Sequence, residues 1–139
     1  MKRKPASLPR RGPLPRPRSP EQAREVLRAE AFRAPDVQRV TLIGTEFTSV
    51  CPETGQPDFG SVVIEYIPKA KCLESRALKY YLWSYRDQGA FCETLAGQIA
   101  DDVVYAIQPK WVKVRVNQNV RGGIAIVAEA ERGRGRAAD

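Results

Sequence analysis

In a chain of 139 residues with no histidine, nucleophilic and acid–base chemistry falls to thiols, carboxylates and amines. Cys51 and Asp58 are the pair whose spacing stands out. They lie seven positions apart in Cys51-Pro52-Glu53-Thr54-Gly55-Gln56-Pro57-Asp58-Phe59, a segment stiffened by its prolines. A thiol held near an acid can attack an electrophilic carbon, and the acid can protonate what forms. At its ordinary pKa of about 8.5 a thiol is only a few per cent ionised at neutral pH, so a catalytic cysteine needs nearby donors or a cation. On spacing alone Cys51 also reads as a small core residue, and Asp58, after Pro57, as a turn-forming aspartate.

Other residues offer weaker signals. Glu74 and Ser75 look like the start of a helix, where an acid suits the macrodipole. Arg76 and Lys79 fall on that helix's polar side, and Glu93 opens a second helix. Arg121-Gly122-Gly123 could present backbone N–H groups and a guanidinium to a phosphate, or simply turn a hairpin. Cys51, Cys72 and Cys92 are spaced by 21 and 20 residues, unlike a zinc knuckle. A three-thiol metal site would need Glu93 or water as fourth ligand, and no metal is expected. An odd number of cysteines excludes a complete disulfide framework and suits a reducing compartment. Neither a dinucleotide-binding glycine fingerprint nor a Walker sequence occurs, and the lack of histidine removes Ser-His-Asp and Cys-His mechanisms.

The elements that must position these residues follow from periodicity. Residues 21–31 suit a short helix with Pro20 at its start, marginal for want of apolar positions. Residues 37–50 and 60–67 read as strands joined by the Cys51–Asp58 loop. From Glu74 the period becomes helical, with Ala77, Leu78, Tyr81, Leu82 and Tyr85 in one stripe and Gly89 as the stop. A second helix spans about Phe91 to Ile107. Trp111–Val116 alternates as a strand, and Ile124–Glu129 follows the glycine pair. The order β-β-α-α-β-β predicts an α+β fold, an antiparallel sheet with two helices on one face. Its two long edges predict self-association.

The net charge of +7 is local. Residues 1–20 hold seven of the 23 Lys and Arg and no acid, leaving a formally neutral remainder. That argues against a nucleic-acid-binding face on the domain. The expected organisation is a basic, proline-rich, disordered or polyproline-like tail over 1–20, a domain over 21–130 and a frayed end over 131–139. No apolar run approaches membrane-spanning length and no secretory signal pattern is present, so a cytoplasmic location is expected.

Together these segments resemble the NADPH-dependent 7-cyano-7-deazaguanine (preQ0) nitrile reductases of queuosine biosynthesis. The carrying residues are Glu46–Pro52, Thr54–Phe59, Tyr66-Ile67-Pro68, Glu74–Tyr81, Phe91 with Glu93, and Arg121–Ile124, covering roughly residues 37–130. The resemblance implies a tunnelling fold, whose subunits join their sheets into an oligomeric barrel. Its short form assembles as stacked pentamers, a decamer, with sites at subunit interfaces. It implies further that Cys51 forms a covalent thioimide with the nitrile and that Asp58 donates a proton as NADPH delivers hydride. By matching position, Leu73, Glu74, Ser75, Cys92 and Glu93 would bind substrate, and Arg76, Lys79 and Arg121 the cofactor. Arg76 stands where the family has lysine, and Cys92 where it has histidine. A thiol offers neither that histidine's donor strength nor its ring face. A second branch of similar proteins uses the same thioimide to add ammonia to preQ0 already in tRNA. The Glu74–Tyr81 motif favours the reductase.

Overall fold

The computed structural model describes residues 6–133. Its centre is a four-stranded antiparallel sheet of β2 (Val40–Val50), β3 (Pro57–Ile67), β5 (Trp111–Arg121) and β6 (Ile124–Gly133), in the order β2-β3-β5-β6. A two-residue β1 (Phe32–Arg33) pairs with β4 (Lys71–Cys72). Helix α2 (Ser75–Trp83) packs beside β2, and α3 (Cys92–Ile107) covers β5 and β6. Helix α1 (Pro20–Glu30) lies across α2 and α3. The α+β class and the antiparallel order of the four long strands agree with the sequence expectation; the number of helices does not.

Among the described residues there are three helices: α2 and α3 lie against the sheet, and α1 packs on the two of them. Helix α1 is short, yet Ala23 and Leu27 are fully buried and Ser19 caps its start by accepting from the Gln22 N–H at 3.1 Å. Tertiary packing supplies what its own apolar content cannot. Helix α2 stops at Trp83 rather than at Gly89. Bonds from Ser84 to Tyr81, Tyr85 to Leu82 and Arg86 to Trp83 tighten the chain into successive turns there. Strands β5 and β6 each run past the alternating segments read from sequence, to Arg121 and Gly133. Residues 131–133, read as part of the C-terminal end, complete β6, and 134–139 lie outside the described residues.

Alternation along the strands decides which side chains face the helices. On β3 Asp58, Val62, Ile64 and Tyr66 are buried on that face. Strand β2 begins with Val40 and Leu42 turned inward, then a bulge between Gly44 and Phe47 shifts the parity, so Phe47 and Ser49 are buried instead. Such a bulge re-aims every residue beyond it. Cys51 lies just past the end of β2, at the start of the turn, and is half-exposed.

A polar network ties the three helices together. The Tyr81 hydroxyl donates to Asp102, the Tyr81 and Tyr85 hydroxyls meet at 2.8 Å, and Arg24 reaches Asp102 at 3.5 Å. Burial pushes the Tyr81, Tyr85 and Asp102 groups all above their ordinary ranges. Residues 6–19 run irregularly over the helices. Leu8 is buried there, its N–H donates to Glu30 at 2.9 Å, and the Pro9 carbonyl accepts from Arg76 at 2.7 Å.

Candidate active site

Cys51 sits in the turn that joins β2 to β3. Its N–H donates to the Gln56 carbonyl and its carbonyl accepts from Gly55, both at 2.8 Å, which closes the loop into a compact unit. The thiol is half-exposed. It is lowered from its usual range, first by the Thr54 hydroxyl, then by the Thr54 and Glu53 backbone N–H groups; the charge of Asp58 opposes this. Donors aimed at sulfur favour thiolate, which is the nucleophilic form. Thr54 was not singled out in the sequence, although a threonine three residues from a thiol inside a tight turn is the available signal.

Asp58 stands opposite Ser49 across the β2–β3 pair and is only 5% exposed. The guanidinium of Arg121 contacts its Oδ1 from the β5–β6 hairpin. Gly122 and Gly123, with φ of 59° and 80°, make that two-residue turn, a conformation that favours glycine at both places.

The start of α3 closes the site from a third side. Val50 accepts from the Ala90 N–H at 3.2 Å and donates to Gln88 at 3.0 Å, so the segment before α3 is pinned to the end of β2. Cys92 is buried with Sγ 3.5 Å from the Val116 carbonyl, and burial pushes its thiol up. It therefore offers the site no ready nucleophile. Phe47, Ser49, Asp58, Cys92, Leu95 and Val116 line a small cavity. Glu93 is exposed on the first turn of α3. Among the described residues no cluster of cysteine and carboxylate side chains could hold a metal ion.

The remaining sequence-derived residues lie elsewhere. Leu73 is buried and its N–H donates to the Tyr66 hydroxyl at 3.0 Å, at the opposite end of β3 from Asp58. Asp58 and Tyr66 are eight steps apart along β3, roughly 26 Å at the usual rise. Glu74 is the cap of α2, accepting from the Arg76 and Ala77 N–H groups at 2.8 Å each, with Ser75 exposed beside it. Arg76 and Lys79 line a groove of about 770 Å³ along β2, together with Glu46, Trp83 and Arg86. Three cations around an open groove fit a ligand carrying phosphates, and Trp83 adds a ring face. Arg121 is not among the residues lining that groove.

These features define a cysteine–aspartate site at one end of the sheet, with Arg121 and Cys92 beside Asp58 and with the Leu73–Ser75 triplet and the Arg76–Lys79 groove apart from it. Residues 57–137 match the family described as QueF-like protein. The chain is 56% identical over 92 residues to a protein of Syntrophus aciditrophicus, covering 66% of each. It is 48% identical over 105 residues to one of Halorhodospira halophila, covering 73% of this chain and 89% of that one. Both relatives are named NADPH-dependent 7-cyano-7-deazaguanine reductase. A crystal structure of the archaeosine synthase QueF-Like in the apo form superposes with a TM-score of 0.68 at 31% identity, over 73% of this chain and all of that one. The chain belongs to the QueF-like family.

Proposed function

We propose that this protein is an NADPH-dependent nitrile reductase that converts preQ0 to 7-aminomethyl-7-deazaguanine (preQ1) for queuosine modification of tRNA. The observation that carries the reading is the Cys51 thiol, lowered by its own turn, beside the buried Asp58 carboxyl. It is supported by the 48–56% identity to relatives named for that reaction.

Cys51 Sγ adds to the nitrile carbon, giving a thioimide with a polarised C=N in place of a poor hydride acceptor. NADPH, when bound, supplies hydride. Asp58 delivers the proton to nitrogen, and the C–S bond then breaks to free an imine and restore the thiol. Nitrile to amine is a four-electron change, so each preQ0 requires two hydrides and two protons. Arg76 and Lys79 would hold the cofactor's phosphates in the groove beside β2, as their charges suit.

Leu73, Glu74, Ser75 and Glu93 are assigned to the substrate base, where a carboxylate suits paired ring N–H donors. Since the 73–75 triplet stands far from Cys51 within one chain, a second copy would have to supply it. This supports a homo-oligomer with sites between subunits, built by joining the open edges of β2 and β6 into a barrel, as stacked pentamers. Among the described residues no helix is long and apolar enough to cross a membrane. The reaction is assigned to the cytoplasm, where thiols stay reduced.

A second reading draws on the superposition with an archaeosine synthase and on Cys92 in place of histidine: ammonia, not hydride, meets the thioimide. Following NADPH absorbance with preQ0 tests the first reading, and ammonia incorporation into preQ0-containing tRNA selects the second.

A further inference from the structure

Residues 1–20 supply the chain's excess charge, and the part of them that the structure describes has a definite course. Residues 6–19 form neither helix nor strand, yet their contacts lay them along α2. Leu8 is buried, and its N–H donates to Glu30 at the end of α1. The Pro9 carbonyl accepts from the Arg76 guanidinium at 2.7 Å, in the first turn of α2. Leu14 is half-buried and lines the groove of about 770 Å³ beside β2. Arg16 pairs with Asp87 in the turns that follow α2. Prolines at 9, 13, 15 and 17 restrict φ along the segment. That lowers the entropy lost in holding a backbone without ladder partners in one place.

We propose that residues 8–16 are a strap that completes this groove as a site for a phosphate-bearing ligand, with the Pro9 carbonyl positioning Arg76 and Leu14 forming part of the wall. This rests on the reductase reading, under which that ligand is NADPH.

The strap's chemistry separates support from obstruction. Residues 6–19 carry Arg10, Arg11, Arg16 and Arg18 and no acid. Nothing in them imitates an anion or cancels the charge of Arg76, Lys79 and Arg86 in the groove. A carbonyl is a neutral acceptor. It takes one N–H of a guanidinium that has five, and the rest of the fork stays open to phosphate oxygens. An arginine already held in place loses less side-chain freedom when the ligand arrives. The Arg16–Asp87 pair is exposed on both sides and adds little stability, but it offsets a carboxylate that neighbours Arg86 in sequence.

Calorimetric titration of the full chain with NADP+, which binds without turnover, is the test. Leu14→Asp should raise the dissociation constant about 3- to 10-fold, the effect of one charge near phosphates in a partly wet groove. Leu14→Lys should lower it, and both differences should shrink as salt is added. Leu8→Ala frees the strap's anchor without touching the groove. It should raise the KM for NADPH about threefold and keep kcat at saturation. Lost stability alone would lower the apparent kcat and leave KM, so the split separates positioning from folding. Equal dissociation constants in the wild type and both Leu14 variants overturn the proposal. So does tighter binding in Leu8→Ala, which would make the strap an obstruction. Neither result touches the reductase reading, which NADPH oxidation by the wild-type chain decides. No NADP+ binding by the wild-type chain overturns both.

Discussion

Donors from a single turn surround the Cys51 thiol, and the Thr54 hydroxyl has the largest effect among them. Thr54→Val keeps the side chain's branched shape and removes that donor, so the thiol should rise. Its alkylation rate by iodoacetamide should then follow pH along a curve moved to higher pH, with Cys51→Ala as the control for the buried thiols. The backbone donors of Glu53 and Thr54 remain, so the shift is partial; an unmoved curve would contradict the assignment. Cys51→Ala should also abolish any covalent adduct with preQ0 seen by intact mass. At this scale the sequence was informative about types and blind to partners. Cys51 and Asp58 were legible because a thiol and an acid flank a rigid segment. The Arg121–Asp58 contact was not, because it depends on how two distant hairpins meet. Cys92 lines the cavity beside Asp58, and packing turns its thiol to the Val116 carbonyl, a contact that spacing alone could not show.

Periodicity resolved the long elements, since β3, α3 and β5 carry unbroken apolar patterns. It found α1 but made it only marginal, because Ala23 and Leu27 gain their burial only against α2 and α3. It also missed the β2 bulge at Thr45 and Glu46, although Gly44 just before them, a glycine inside a strand pattern, was the available signal. Gly60 marks a closer constraint. A Cβ there would fall 1.9 Å from the Asn117 carbonyl oxygen, a backbone atom that cannot swing away. Gly60→Ala must therefore push β3 from β5 beside the site, at about 1–3 kcal/mol by analogy with overpacked cores. Asp102→Ala should cost about 2–3 kcal/mol, because the buried Tyr81 hydroxyl and the Arg24 guanidinium both lose their acceptor. Urea unfolding at fixed protein concentration measures both, and wild-type midpoints would contradict these accounts.

For the whole molecule, the formal charge of +7 said little about chemistry, since the excess lies in residues 1–20. Shape says more. The Cys51–Asp58 site and the Leu73–Glu74–Ser75 triplet lie at opposite ends of β3, so a site using both must join two copies. Light scattering should accordingly give a mass well above the 15.5 kDa of one chain. Refolding Cys51→Ala together with Glu74→Ala should regain roughly a quarter of wild-type activity, by random pairing at heterologous contacts. No regain would place the whole site within one chain. The central claim is tested most directly by mixing the protein with preQ0 and following NADPH absorbance. Oxidation of two NADPH for each preQ0 consumed, absent in Cys51→Ala, is the predicted result. No oxidation, with ammonia instead entering preQ0-containing tRNA, would contradict it.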